Sequence, residues 1–196
     1  METELEVKFI NIDADKLRQQ LKQLGAVLVQ PEVLMKRKNF DFSNRSLEKV
    51  NGWVRVRDEG NKTTLSYKQL NERTLHGSQE VCLEVNNFDQ ACDFLAAIGL
   101  EQKAYQETKR ESWRYGEVEV TIDTWPWLPT FVELEATSEP TLKKAASDLG
   151  FDWPKALHGS VEIVYQQYYD VSDKELDDCP TITFGPVPEW LLAKKK

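Results

Sequence analysis

The chain has 196 residues, 40% of them apolar, and carries a formal net charge of −8. This suits one good core, or two small domains, and argues against a disordered chain. The acid excess argues against a general binder of DNA or of membranes, while leaving room for a local basic pocket.

In chain order, residues 4–10 alternate and predict a strand. Residues 14–25 place Leu17, Leu21 and Leu24 at helical spacing, with Asp13 as N-cap and Gly25 as stop. Residues 26–42 hold short apolar stretches and then MKRKNFDF, where Lys36 and Lys38 alternate and either line an entrance or form a solvated strand end. GWVRVRDEG, KTTLSYKQ and SQEVCLEV alternate between polar breaks and predict an antiparallel meander. A second helix is expected over 88–99 through Phe88, Ala91, Leu95 and Ile98. KRESWRYG, EVEVTID and TFVELEA read as further strands, and 141–150 as a third helix.

LKQLG, LAAIG and ASDLG each end a helix that follows a carboxylate-bearing strand, which suggests an α+β architecture with internal similarity. Beyond 150 the pattern loosens into a covering element and a tail. The expected division is a main domain over 1–170 and a tail or covering segment over 171–196.

The three cysteines, Cys82, Cys92 and Cys179, are odd in number and lack C-x-x-C spacing, against a disulfide framework or a structural zinc site. The acidic opening predicts no secretory leader, and no stretch approaches the ~20 apolar residues of a membrane span. A reduced, cytoplasmic protein is expected.

The strands share one anomaly: each has a charged face. Strand one presents Glu4, Glu6 and Lys8 against Leu5, Val7 and Phe9. WVRVR presents Arg55 and Arg57, TLSYK presents Lys68, and EVCLE presents Glu80 and Glu84. EVEVTID gives Asp123, VELE gives Glu133 and Glu135, and KRES gives Arg110. One charged face is an ordinary solvated sheet face. Six, with only three helices to cover the apolar sides, predict a sheet curled with its charges inward, and closure would also remove the edges.

Crowded carboxylates repel unless a cation sits among them, and oxygen ligands of this kind suit Mg²⁺ or Mn²⁺. Paired arginines present donor forks to a polyanion. Together these are the parts of phosphoryl transfer. The Gly-rich phosphate loops are absent, only His76 and His158 could supply imidazole, and HGS at 158–160 has no triad context.

The E-x-E-x-K of residues 4–8, then VRVR, Lys68, EVCLEV, KRESW, VTID and FVELE in that order, resembles the CYTH proteins, the triphosphate tunnel metalloenzymes. The resemblance implies a closed eight-stranded antiparallel barrel, covered by helices, that binds a linear triphosphate with Mg²⁺ or Mn²⁺. It implies hydrolysis of inorganic tripolyphosphate or of a nucleoside or thiamine triphosphate, with adenylate cyclase chemistry as the alternative. Lys8, Arg55, Arg57, Lys68 and Arg110 would hold phosphates. Glu4, Glu6, Glu84, Asp123, Glu133 and Glu135 would hold metal, with Glu6, Glu135 and Lys8 as the catalytic set. Glu84 is preferred to Glu80, and Arg110 to Lys109. Trp125, Pro126 and Trp127 stand where relatives have a smaller, Gly-containing turn, and a packed loop is favoured over a ring that stacks on substrate. Partners would be the small-molecule triphosphate, with no DNA and no membrane; the oligomeric state, a homodimer included, is left open.

Overall fold

The computed structural model describes the backbone of residues 2–196 and the side chains from Leu5 onward. Strands β1 (Glu2–Phe9), β2 (Val27–Phe42), β3 (Gly52–Asp58), β4 (Thr63–Leu70) and β5 (Ser78–Val85) are followed by β6 (Leu100–Tyr115), β7 (Val118–Thr124) and β8 (Phe131–Ala136). Helices α1 (Ala14–Gln23), α2 (Phe88–Ala97) and α3 (Glu139–Asp148) interrupt them. The eight strands form one curled antiparallel sheet in the order β2-β3-β4-β5-β1-β8-β7-β6, and β2 also pairs along β6.

The helix ends follow their capping chemistry. Asp13 accepts from the Lys16 amide and Asn87 from the Gln90 amide. Gly25 takes φ +76°, the left-handed stop expected after α1. The third helix starts earlier than 141, because Ser138 caps it and Pro140 fits its first turn. Leu17 and Leu21 are buried as expected, but Leu24 and Ile98 are exposed, and Cys92 rather than Ile98 completes the buried stripe of α2.

Sequence pattern understated β2 and β6. Each runs for 16 residues, and together they form the longest ladder in the sheet. Pro31 obscures the β2 pattern, and its neighbourhood is accommodated by register shifts between Leu28 and Gln30 and between Gln30 and Val33.

The outer faces carry the core. Val7, Val120 and Leu134 are buried beneath Leu21 of α1 and Leu142 of α3. Val56 and Phe40 pack with Ala91, Cys92 and Leu95 of α2. A further cluster joins Trp125, Leu128 and Phe131 to Val164 and Tyr165 of α4 (Glu162–Tyr168), Leu176 of α5 (Asp173–Asp177) and Leu191 of α6 (Glu189–Leu192). The segment after 150 is thus several short elements, including a two-residue strand β9 (Thr181–Ile182) parallel to β6. No helix among the described residues is long and apolar enough to cross a membrane.

The turn after β7 is unusual. Trp127 adopts φ +67°, a region that favours glycine. Two tyrosines hold the turn: Tyr165 donates its hydroxyl to the Pro126 carbonyl (2.8 Å) and Tyr169 to the Trp127 carbonyl (2.7 Å). These bonds and the apolar cluster offset a backbone strain of about 1–3 kcal/mol. Sequence alone showed the aromatics but not the tyrosines, which lie about forty residues further on.

Candidate functional site

The concave side of the sheet encloses a cavity of about 410 Å³. Lys8, Arg55, Arg57, Lys68 and Arg110 all line it, together with Glu6, Glu80, Glu133 and Glu135. The strand period explains this. On β1, β3 and β8 these residues alternate with apolar neighbours committed to the core, Leu5, Val7, Val56, Val132 and Leu134 among them, so the opposite face turns inward.

Lys8 is 2% exposed. Its Nζ donates to Glu6 (3.0 Å) and to the Gly159 carbonyl (2.7 Å), and lies 3.4 Å from Glu133. Burial works against its charge, but Glu6 and Glu133 outweigh burial and hold its pKa above the ordinary lysine value. Gly159, at φ +112°, brings that carbonyl inward; a Cβ there would stand 3.3 Å from the Arg73 side chain. The HGS stretch therefore acts through its backbone.

Arg110 is held as a fork. Its Nε and Nη2 donate to the two oxygens of Asp123 at 2.6 and 2.9 Å, and Nη2 also donates to Glu133 at 2.6 Å. Burial would raise Glu133, but Lys8, Arg110 and Lys68 hold it well below the usual carboxylate range. Asp123 is 1% exposed, lies beneath Arg110 and does not line the cavity. Its place is that of an anchor for Arg110.

On the opposite wall Glu80 accepts from Arg55 and stands 3.2 Å from Lys68. Arg57 donates to Glu59 through Nε and Nη2, at 2.9 and 2.6 Å. The preference for Glu84 over Glu80 is reversed by this geometry. Glu84 shares the strand face of Glu80 but is exposed, opposite Thr64, and does not line the cavity. The side chain of Glu4 lies outside the described residues.

Glu135 differs from the other acids. It stands directly opposite Glu6 on β1 and opposite Glu119 on β7. Although its side chain is exposed to the open cavity, partial desolvation, then Glu6 and Glu119, push its carboxyl above its ordinary value. No lysine or arginine among the described residues forms an ion pair with it.

Of the two basic candidates on KRES, Arg110 points inward and Lys109 lies over the Phe184 ring outside. On β2 Lys36 and Lys38 follow the solvated alternative, and the cavity-lining positions lie one residue along. Lys36 is exposed and Lys38 rests over Phe88, whereas Arg37 and Asn39 line the cavity. The bulges before Met35 set that register and left no trace in the local alternation. Trp125 is buried, as a packed loop requires, and its ring still reaches the cavity wall. Glu59 and Arg37 were missed altogether; Glu59 lies just past the end of β3, where strand periodicity gives no signal.

A curled antiparallel sheet whose concave face carries interleaved carboxylates and cations defines a class of polyanion-binding fold. The chain belongs to the CYTH domain family, whose model matches residues 2–152. No curated protein matches it in sequence. Among solved structures it resembles a candidate adenylate cyclase of Vibrio parahaemolyticus, with a TM-score of 0.72, 15% identity, and 84% of this chain and 98% of that one covered. It also resembles the PH1012 protein of Pyrococcus horikoshii, with a TM-score of 0.67, 16% identity and coverage of 82% and 98%. HpAC1 of Hippeastrum, described as having a dominant triphosphatase activity, aligns with a TM-score of 0.58 at 16% identity, over 93% of this chain and 97% of that one. At these identities the likeness is one of fold.

Proposed function

We propose that the curled sheet is a closed triphosphate tunnel and that the protein hydrolyses a linear triphosphate with the help of a divalent cation. The observation that carries this reading is the two-signed cavity wall. Lys8, Lys68 and Arg110 surround Glu133 while Glu135, beside them, has no basic partner among the described residues.

The chain fits a divalent ion at the Glu6–Glu135 pair, where directly opposed carboxylates repel. Among the described residues no group of three acids is arranged as a complete metal cage. Mg²⁺ needs none, since it is commonly held by one or two carboxylates, waters and substrate phosphates. When bound there, the ion would neutralise charge that accumulates on the phosphoryl oxygens.

The cations do the rest. Arg55, Arg57 and Arg110 offer planar donor forks to successive phosphates, and Lys8 offers a compact charge fixed by Glu6 and the Gly159 carbonyl. Glu133, neutralised by Lys8 and Arg110, is a poor base and positions them. Glu135 orients the attacking water and receives its proton. The water oxygen bonds to the terminal phosphorus as the bond to the bridging oxygen breaks, releasing orthophosphate and the remaining diphosphate, which is pyrophosphate when the substrate is tripolyphosphate. HpAC1, with its described triphosphatase activity, supports this reading. The free cysteines Cys82, Cys92 and Cys179 support a reducing, cytoplasmic setting.

A second reading, cyclisation of ATP with release of pyrophosphate, is favoured by Asn39 and Trp53. Both line the cavity, and Asn39 Oδ1 has no partner among the described residues, so a base could find a hydrogen bond and a ring there. The test is a product assay with tripolyphosphate, ATP and thiamine triphosphate, each with Mg²⁺ and with Mn²⁺. Orthophosphate from any of them supports hydrolysis. Cyclic AMP with pyrophosphate selects the cyclase. No product and no binding would overturn both.

A further inference from the structure

Arg37 lies on β2 and is 6% exposed. Its Nη2 donates to the Thr108 hydroxyl on β6 at 2.9 Å, and its guanidinium carbon sits 4.6 Å from the centre of the Trp125 ring. Its Nε is buried and has no partner among the described residues. It lines the same cavity as the phosphate-holding set.

Its electrostatic position is unlike that of its neighbours. Lys8, Arg55, Arg57, Lys68 and Arg110 each stand within ion-pair distance of a carboxylate. So do the cavity's remaining cations, Arg45, Arg73 and Lys103. Arg37 forms no such pair among the described residues. After burial, the strongest influences on it are three other guanidinium groups, those of Arg55, Arg57 and Arg110. The carboxylate that acts on it in the favourable sense, Asp123, is already engaged by Nε and Nη2 of Arg110.

A buried charge without a counter-charge is costly, and a hydroxyl and an aromatic face do not neutralise it. They do fix its plane. The ring covers one side of the guanidinium and Thr108 takes one terminal nitrogen, so the group keeps donor capacity that no protein acceptor among the described residues uses. An acceptor that satisfies four clustered guanidinium groups must itself be multiply charged.

We infer that Arg37 is a phosphate-binding residue of this cavity, held ready by Trp125 and Thr108 to donate to a phosphoryl oxygen. The inference rests on the triphosphate reading and deepens it. The other cations must share or leave a carboxylate to engage substrate. Arg37 gives up no ion pair, so its contribution appears in ground-state binding of the polyphosphate chain. The strand pattern of β2 concealed it.

The test is calorimetric titration of tripolyphosphate into the full chain with metal chelated, for the wild type, Arg37→Met and Arg37→Lys, with melting curves of each in the absence of phosphate. Methionine keeps an unbranched stem against Trp125 and removes the charge. Arg37→Met is expected to weaken tripolyphosphate binding by about tenfold or more. Arg37→Lys should recover part of that loss. The ligand-free melting temperature of Arg37→Met should equal or exceed that of the wild type, because an uncompensated charge has gone, and a merely structural arginine would give the opposite sign. Unchanged binding in Arg37→Met, or a large drop in melting temperature in both variants, would overturn the inference while leaving the triphosphate reading in place. A wild type that binds no tripolyphosphate either with metal chelated or with Mg²⁺ present overturns the triphosphate reading and this inference with it, and the two wild-type titrations reveal that case.

Discussion

Glu6 and Glu135 are directly opposed residues of the β1–β8 ladder, two carboxylates at one level of the cavity wall. Like charges opposed across a sheet destabilise it. Glu6 is compensated by Lys8 at 3.0 Å, and Glu119 adds a third carboxylate opposite Glu135 on the other side. The arrangement is unfavourable for the empty fold and favourable for a bound cation. Glu135→Gln is therefore expected to reduce metal-dependent phosphate release by about a hundredfold or more. It should also leave the metal-free melting temperature equal or higher, and reduce the further rise that Mg²⁺ produces in the wild type. Phosphate release and melting curves with and without Mg²⁺ check all three. A variant that hydrolyses normally would remove Glu135 from the chemistry.

Lys8 behaves differently, because its charge supports the fold as well as the site. Its ammonium is buried among Glu6, Glu133 and the Gly159 carbonyl. Lys8→Ala removes the partner of two enclosed carboxylates and orphans a buried carbonyl, at a cost of about 3–5 kcal/mol. Denaturant unfolding should show that loss directly. Lys8→Ala is thus a poor probe of catalysis, and Arg57→Ala, which leaves Glu59 with Thr64 and Lys62, is a cleaner test of phosphate binding.

The contrast shows what the sequence made legible. Alternation put Glu6, Lys8, Arg55, Arg57, Lys68, Glu133 and Glu135 on one concave surface, most firmly where an apolar face is committed, and on β6 it left Arg110 as a preference over Lys109. It failed where register depends on something other than alternation. The bulges of β2 moved the inward positions to Arg37 and Asn39, and the position along β5 decided between Glu80 and Glu84. Long-range ties were invisible for another reason. The bonds from Tyr165 and Tyr169 to the 126–127 carbonyls, and from Lys8 to Gly159, join segments far apart in the chain and have no local periodicity to announce them.

A pH dependence follows from Asp177, at the rim of the cavity. The side chain of Asp177 is exposed to the open rim, so water damps the effect; partial desolvation there, then Glu162, Asp173, Glu48 and Asp178, act to raise its carboxyl from 3.8 towards about 7. A carboxyl whose folded pKa exceeds its unfolded value favours the fold when protonated. Its contribution is present in acid and is lost as pH rises from the ordinary carboxylate range through 7. Melting temperature should therefore fall between pH 5.5 and 8 in the wild type. His158 acts with the opposite sign: burial, then Lys8, depress it below 6.5, so its contribution is lost as pH falls. The difference between wild type and Asp177→Asn isolates the first effect. The variant should be the more stable at pH 8 and show a flatter profile across that window. Parallel profiles would mean that Asp177 titrates as an ordinary surface acid.

Residues 171–196 carry the last prediction. Val171, Leu176 and Leu191 are buried in the same cluster as Trp125, Leu128 and Phe131, so apolar contact runs without a break across residue 170. The backbone is tied as well: the Asp170 amide donates to Lys194, and the Lys196 amide to Tyr168. Removing 171–196 uncovers Tyr165 and Tyr169, whose hydroxyls hold the 126–127 carbonyls in a turn that includes a left-handed tryptophan. That turn carries Trp125 against Arg37. The deletion is expected to lower stability by several kcal/mol, since each large buried apolar side chain contributes about 1.5–3 kcal/mol. It should also weaken tripolyphosphate binding through the loosened Trp125. A milder substitution separates the two effects. Tyr169→Phe keeps the ring in the cluster and removes only the bond to the Trp127 carbonyl, so it should cost about 1 kcal/mol and leave tripolyphosphate affinity within about twofold. A truncated chain that melts and binds like the full one would make 171–196 an appendage, and the sharing of one apolar cluster across residue 170 would then have no energetic weight.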